Sequence, residues 1–112
     1  MARIWAGFAL AAAIGLACAP AAAQSYPSRP VKIIVAFPPG GGNDFVARFI
    51  AARLSGPLGQ QLIVENRPGA GGTIGVEAGL KAPPDGYTLT LISNSYTVNP
   101  SVYKLSFDPL AD

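Results

Sequence analysis

Three short segments carry the residue types with the clearest chemistry: Pro38-Pro39-Gly40-Gly41-Gly42-Asn43-Asp44, Asn66-Arg67-Pro68-Gly69-Ala70-Gly71-Gly72-Thr73, and Ser93-Asn94-Ser95-Tyr96-Thr97. Glycine has no Cβ to shield its amide, so such runs let the backbone approach a ligand and present N–H groups to it. Where a helix starts just after the run, its first amides lack helical partners and its N-terminus carries roughly half a positive charge. That combination suits an anion. Taken singly, either glycine run is explained as well by a tight turn. Two runs at equivalent places, with a Ser/Asn/Ser segment at a third, favour one shared ligand.

Other chemistries fail on named residues. The chain has no histidine and one cysteine, Cys18, so it holds neither a Cys/His metal set nor a histidine-based catalytic pair. Ser93 and Ser95 have no histidine or suitably spaced lysine to activate them, and no enzymatic role is expected. A dinucleotide fingerprint beginning Gly69-Ala70-Gly71 requires glycine or alanine at 74, where Ile74 stands; an NTPase phosphate loop requires lysine after Gly42, where Asn43-Asp44 follows. No cofactor is expected. Asp44 has two readings, helix cap or first-turn acid on one side and ligand acceptor on the other. Phe37 either packs over the ligand or belongs to the core, and Arg67 either meets a carboxylate or stays solvated.

The elements that must position these segments follow from pattern. Val31 to Phe37 is β-branched and, Lys32 apart, apolar on both faces, as in a strand buried in a parallel sheet. After the first glycine run, Asn43 or Asp44 is placed to cap a helix with an apolar stripe at Phe45, Val46, Phe49, Ile50 and Leu54, fading near Ser55-Gly56-Pro57 or shortly after. Gln61 to Glu65 reads as a second strand. Thr73 to Ala82 reads as a second helix, capped by Thr73, with Ile74, Ala78 and Leu80 or the Lys81 stem toward the sheet. Pro83-Pro84-Asp85-Gly86 is a turn, Tyr87 to Ser93 a third strand, and a short helix is expected near Asn99-Pro100. Strand, helix, strand, helix, strand with short connections predicts an α/β fold with a parallel sheet. In such sheets ligands sit beyond the carboxyl ends of the strands, where all three segments fall.

The N-terminus reads as an export signal: Arg3, the apolar run Ile4 to Leu16, and Ala21-Ala22-Ala23 before a cut that leaves Gln24 first. Pro20 ends the run short of the roughly 18 apolar residues of a membrane span. Leu16-Ala17-Cys18 faintly resembles a lipidation box, with Gly15 where leucine is preferred. Loss of residues 1–23 removes Arg3 and no acid, leaving seven basic and six acidic residues. A net charge of +1 gives nucleic-acid binding no electrostatic support. The remaining 89 residues are few for an independent core, and a truncated chain is expected.

At these segments the sequence resembles the periplasmic receptors of tripartite tricarboxylate transporters, the Bug family. The stretches are Tyr26-Pro27-Ser28-Arg29-Pro30-Val31, Phe37 to Asp44, Glu65 to Gly72 and Pro84-Asp85-Gly86-Tyr87-Thr88-Leu89, continued by Asn99-Pro100 and Tyr103. The resemblance implies the start of a type II periplasmic-binding-protein lobe, with a second lobe missing, that closes on a small organic acid. It further implies ligand contacts from Phe37, Pro39, Gly40, Gly41, Gly42, Asn43, Asp44, Ala70, Gly71, Gly72 and Thr73, with Ser93, Asn94 and Ser95 adding side-chain contacts. Membrane permease subunits are the implied partner, or else a sensing role. Many relatives carry threonine where Asn43 stands. The rival readings are an α/β enzyme fragment using the same loops for phosphate and a truncated chain that binds nothing.

Overall fold

The computed structural model describes residues 25–111; the expected export signal, its cleavage after Ala23 and any lipid on Cys18 lie outside them. Within that span the order is β1 (Val31–Val35), α1 (Gly42–Leu58), β2 (Leu62–Asn66), a 3-10 turn (Ala70–Gly72), α2 (Thr73–Leu80), β3 (Thr88–Leu91) and α3 (Ser95–Val102). The three strands form one parallel sheet in the order β2-β1-β3. Ile33 pairs with Val64 on one side and Leu89 on the other, so β1 is central. That explains the apolar run from Ile33 to Ala36: Ile33 and Val35 face α1, while Ile34 and Ala36 lie beneath α2, and all four are buried.

From β1 the chain passes to β2 on one flank and then crosses back to β3 on the other. With right-handed crossovers, opposite directions place the two helices on opposite faces. α1 accordingly packs on β1 and β2, and α2 on β1 and β3. The reversal makes the gap between the β1 and β3 loops the topological switch point, where ligands of open α/β sheets bind.

Both helices meet the sheet through smaller residues than their apolar patterns suggest. On α1 the buried positions are Asp44, Ala47 and Ala51, whereas Phe45, Val46, Phe49, Ile50 and Leu54 are exposed. Phe45 and Phe49 stack with each other at 6.3 Å, and the Arg53 guanidinium lies 5.2 Å from the Phe49 ring. On α2 the expected contacts Ile74 and Leu80 are exposed, and Gly75 and Val76 are buried instead. A Cβ on Gly75 would stand 2.6 Å from the Ala36 Cα and 2.8 Å from the Arg67 carbonyl oxygen, so the helix backbone rests directly on the end of β1. Close approach selects small residues at the contact; periodicity reveals a stripe but not which stripe the sheet accepts.

The helix boundaries also shift. α1 is capped by Gly41, not by Asn43 or Asp44, and ends at Gly59, whose left-handed backbone donates its N–H to the Gly56 carbonyl at 3.0 Å. α2 is capped by Gly72; Thr73 instead turns its hydroxyl back to donate to the Ala70 carbonyl. α3 begins at Ser95, before the expected Asn99-Pro100, because the Ser93 carbonyl accepts the Tyr96 N–H and the Ser93 hydroxyl the Ser95 N–H.

Candidate functional site

Parallel strands bring every strand-to-helix loop to the same edge, so the β1, β2 and β3 loops share the carboxyl end of the sheet. They also touch. A Cβ on Gly72 would stand 3.3 Å from the Phe37 ring and 3.4 Å from the Ala36 Cβ, and the Asn99 side chain of α3 donates to the Gly71 carbonyl at 3.0 Å. Phe37, Gly72, Ser93, Ser95 and Asn99 line a closed crevice at the β1/β3 switch point, too narrow in this conformation to admit a water molecule. Wider hollows beside Glu77, Lys81 and Phe107, and beside Thr97, Pro100 and Leu110, do not include the glycine loops.

The β1 loop is held by Asp44. Its carboxylate is buried and accepts from the Gly40 N–H at 2.9 Å, from Arg48 Nε at 3.0 and 3.1 Å, and from Asn66 Nδ2 at 2.9 Å. Asn66 Nδ2 also donates to the Phe37 carbonyl at 3.1 Å, and Arg48 donates to Asn66 Oδ1 at 3.2 Å. Chiefly the Arg48 hydrogen bond, then those from Gly40 and Asn66, hold the Asp44 carboxyl well below the usual aspartate range. This acid points into the loop it stabilises. The Gly40 amide is thereby used internally, and Pro39, Gly40, Gly41 and Gly42 form an exposed rim with Asn43 half-buried behind them. Because the Gly41 cap has no side chain, the first amides of α1 receive no side-chain cap.

The β2 loop is wound tightly. Gly69, Ala70, Gly71 and Gly72 all have positive φ, and Ala70 is the non-glycine among them. The Gly72 N–H closes on the Gly69 carbonyl at 2.9 Å and the Thr73 N–H on Ala70, which leaves Ala70 and Gly71 at the exposed crest of the turn. Successive backbone N–H groups in such a turn make a concavity suited to an anion. Gly71 is required twice over: its φ is +65°, and a Cβ there would stand 2.9 Å from the Tyr103 ring. In the β3 loop the Ser93 and Ser95 hydroxyls are 2.8 Å apart, half-buried, while Asn94 is exposed.

No lysine or arginine lines the crevice. Arg48 pairs with Asp44, Arg67 and Lys32 with Glu65, Arg29 with Asp85, and Lys81 with Glu77. Lys32 foremost, with Arg67, lowers the Glu65 carboxyl. Arg67 therefore meets an internal carboxylate at 2.6 Å. The polar groups at this edge are neutral dipoles, backbone N–H groups and two hydroxyls, beside an aromatic ring. Among the described residues no group of three or more Cys, His, Asp or Glu is placed to hold a metal ion. Sequence reasoning assigned no role to Asn66 and Asn99, which brace the first two loops; their signal was membership of the Glu65-Asn66-Arg67 and Asn99-Pro100 stretches.

Comparison with known proteins is consistent across sequence and structure. Protein BugT of Bordetella pertussis is 53% identical over 77 residues, which is 69% of this chain and 24% of BugT. An R. palustris protein solved with adipate superimposes with a TM-score of 0.74 at 39% identity, covering 78% of this chain and 30% of that one. MatC of Rhodopseudomonas palustris, solved with bound malate, gives 0.65 at 36% identity over 75% of this chain and 29% of its own. The chain spans 24% to 34% of the length of the curated relatives it matches. Its three-stranded parallel sheet with flanking helices is part of their fold. Residues 46–112, more than half of the sequence, match the family described as the Tripartite tricarboxylate transporter family receptor, and the chain belongs to that family.

Proposed function

We propose that this chain supplies the first-lobe loops of a periplasmic receptor that captures a small organic carboxylate for a membrane permease or for sensing. The single observation behind the reading is that the parallel sheet sends the loops carrying Gly41–Asn43, Ala70–Gly71 and the paired Ser93 and Ser95 hydroxyls to one edge. Fixed N–H and O–H dipoles in a closing cleft stabilise a carboxylate without a permanent cation, since each hydrogen bond to a charged acceptor is about twice as strong as a neutral one. Phe37 forms the floor beside Gly72 and excludes water from one side. Asp44 acts behind the loop, holding Gly40 and, through Asn66, Phe37. The chain spans 24% to 34% of the length of its relatives, and a second lobe from the remainder of such a protein closes the other half of the cleft. Residues 1–23 direct export and are removed after Ala23.

Related structures hold adipate and malate, so these dicarboxylates are the first ligands to try. Isothermal titration calorimetry and thermal-shift screening of the complete gene product against adipate, malate and adenine nucleotides test the reading. Saturable binding of a carboxylate supports it. Stabilisation by nucleotides alone overturns it.

A further inference from the structure

We propose that Asn99 is a positioning residue that locks the Ala70–Gly72 turn from outside its own β–α unit, joining the second and third ligand loops into one rigid piece. The inference rests on the carboxylate reading above. Asn99 sits one turn into α3, whose start is the Ser93/Ser95 pair, and it is 6% exposed. Its Nδ2 donates to the Gly71 carbonyl at 3.0 Å. The amide orientation is forced, because the reverse would put two oxygens together.

The Gly71–Gly72 peptide is thus held at both ends. Asn99 takes its C=O, and the Gly69 carbonyl takes its N–H at 2.9 Å. The adjoining Gly71 N–H belongs to the Ala70–Gly71 peptide, whose C=O accepts the Thr73 N–H and hydroxyl, so both peptides at the crest of the turn where the ligand is placed are held. The Tyr103 ring closes over the same glycine, and the Tyr103 N–H bonds the Asn99 carbonyl at 2.8 Å, tying brace and cover to one helix end. A helix that carries both the serine contacts and the brace transmits any shift of one loop to the other.

The distinguishing test is a pH profile. In Asn99→Asp a protonated carboxyl can donate to the Gly71 carbonyl, but a carboxylate cannot, and burial raises the pH at which that proton leaves. Kd for adipate and malate, each taken relative to the unmodified protein at the same pH because the ligands also titrate, is expected to be near unity at pH 5. It rises roughly tenfold by pH 8, the scale expected for loss of one hydrogen-bond donor. Asn99→Leu, which has no donor at any pH, is expected to be weak throughout. A flat Asn99→Asp ratio, or unmodified affinity in Asn99→Leu, overturns the proposal. Should both variants fail to fold, amide hydrogen exchange on the unmodified protein decides: Gly72 and Tyr103 N–H groups must be protected alike, and a freely exchanging Gly72 beside a protected Tyr103 overturns the lock. An unmodified protein that binds neither acid defeats the carboxylate reading instead, and the exchange comparison still decides the lock.

Discussion

Gly75→Ala sets two known effects against each other at the point where α2 carries the ligand loop. Alanine in a helix interior is favoured over glycine by about 0.5–1 kcal/mol. The new methyl, however, would lie 2.6 Å from the Ala36 Cα, 2.7 Å from its Cβ and 2.8 Å from the Arg67 carbonyl oxygen. Two of these three neighbours are backbone, and neither can rotate away. Overpacking of this kind costs about 1–3 kcal/mol, and rigid neighbours argue for the upper half. The net expectation is a loss of about 1–2.5 kcal/mol. Gly56→Ala in α1 is the control for space: nothing beyond its chain neighbours lies within 4 Å of its would-be Cβ, and the crowding of that Cβ by Pro57 offsets part of the helix gain. Urea denaturation of the complete gene product should lower the Gly75→Ala midpoint well below that of Gly56→Ala with unchanged slope. A Gly75→Ala protein as stable as Gly56→Ala would refute close backbone packing of α2 on β1. The same displacement lifts the Gly72 end of α2 from Phe37, so ligand affinity should fall with stability in Gly75→Ala and be unaffected in Gly56→Ala.

Asp44→Asn should lower stability in a pH-dependent way. The folded-state carboxyl is held below the ordinary value of 3.8, chiefly by Arg48, so its contribution is complete above that value and is lost as pH falls toward the depressed one. The gap between unmodified and Asp44→Asn urea midpoints should therefore be constant near neutrality and shrink below about pH 4; a pH-independent gap would remove the charged brace. Gly71→Val should weaken carboxylate binding far more than Arg67→Ala, because position 71 combines a φ of +65° with the Tyr103 ring at 2.9 Å, whereas Arg67 pairs with Glu65 on an exposed loop. The left-handed backbone alone costs a β-branched residue about 1–2 kcal/mol or more. Calorimetric titration with adipate and malate checks the order, and equal affinities would count against recognition by backbone amides.

Local chemistry settled much of this protein in advance. A doubly buried strand needs apolar residues on both faces, and Val31 to Ala36 has them. Alternation of strands and helices through short loops permits little besides a parallel sheet, and that in turn sends the glycine loops to one edge. Glycine at 71 and 72 permits the positive φ that the turn uses. Three-dimensional packing decided the rest. Whether α1 rests on Phe45 and Phe49 or on Ala47 and Ala51 depends on how near the helix axis comes to the sheet, and that distance is a property of the assembled layers. Which loop amides remain for a ligand depends on where Asp44 and the Gly69 carbonyl point, since they use the N–H groups of Gly40 and Gly72. Asn66 and Asn99 became braces only when the chain brought each within hydrogen-bond reach of a residue 22 or 28 positions away. Sequence governs conformations that a residue and its neighbours choose for themselves; a hydrogen bond between distant segments exists only after folding has placed both partners, so no local pattern announces it.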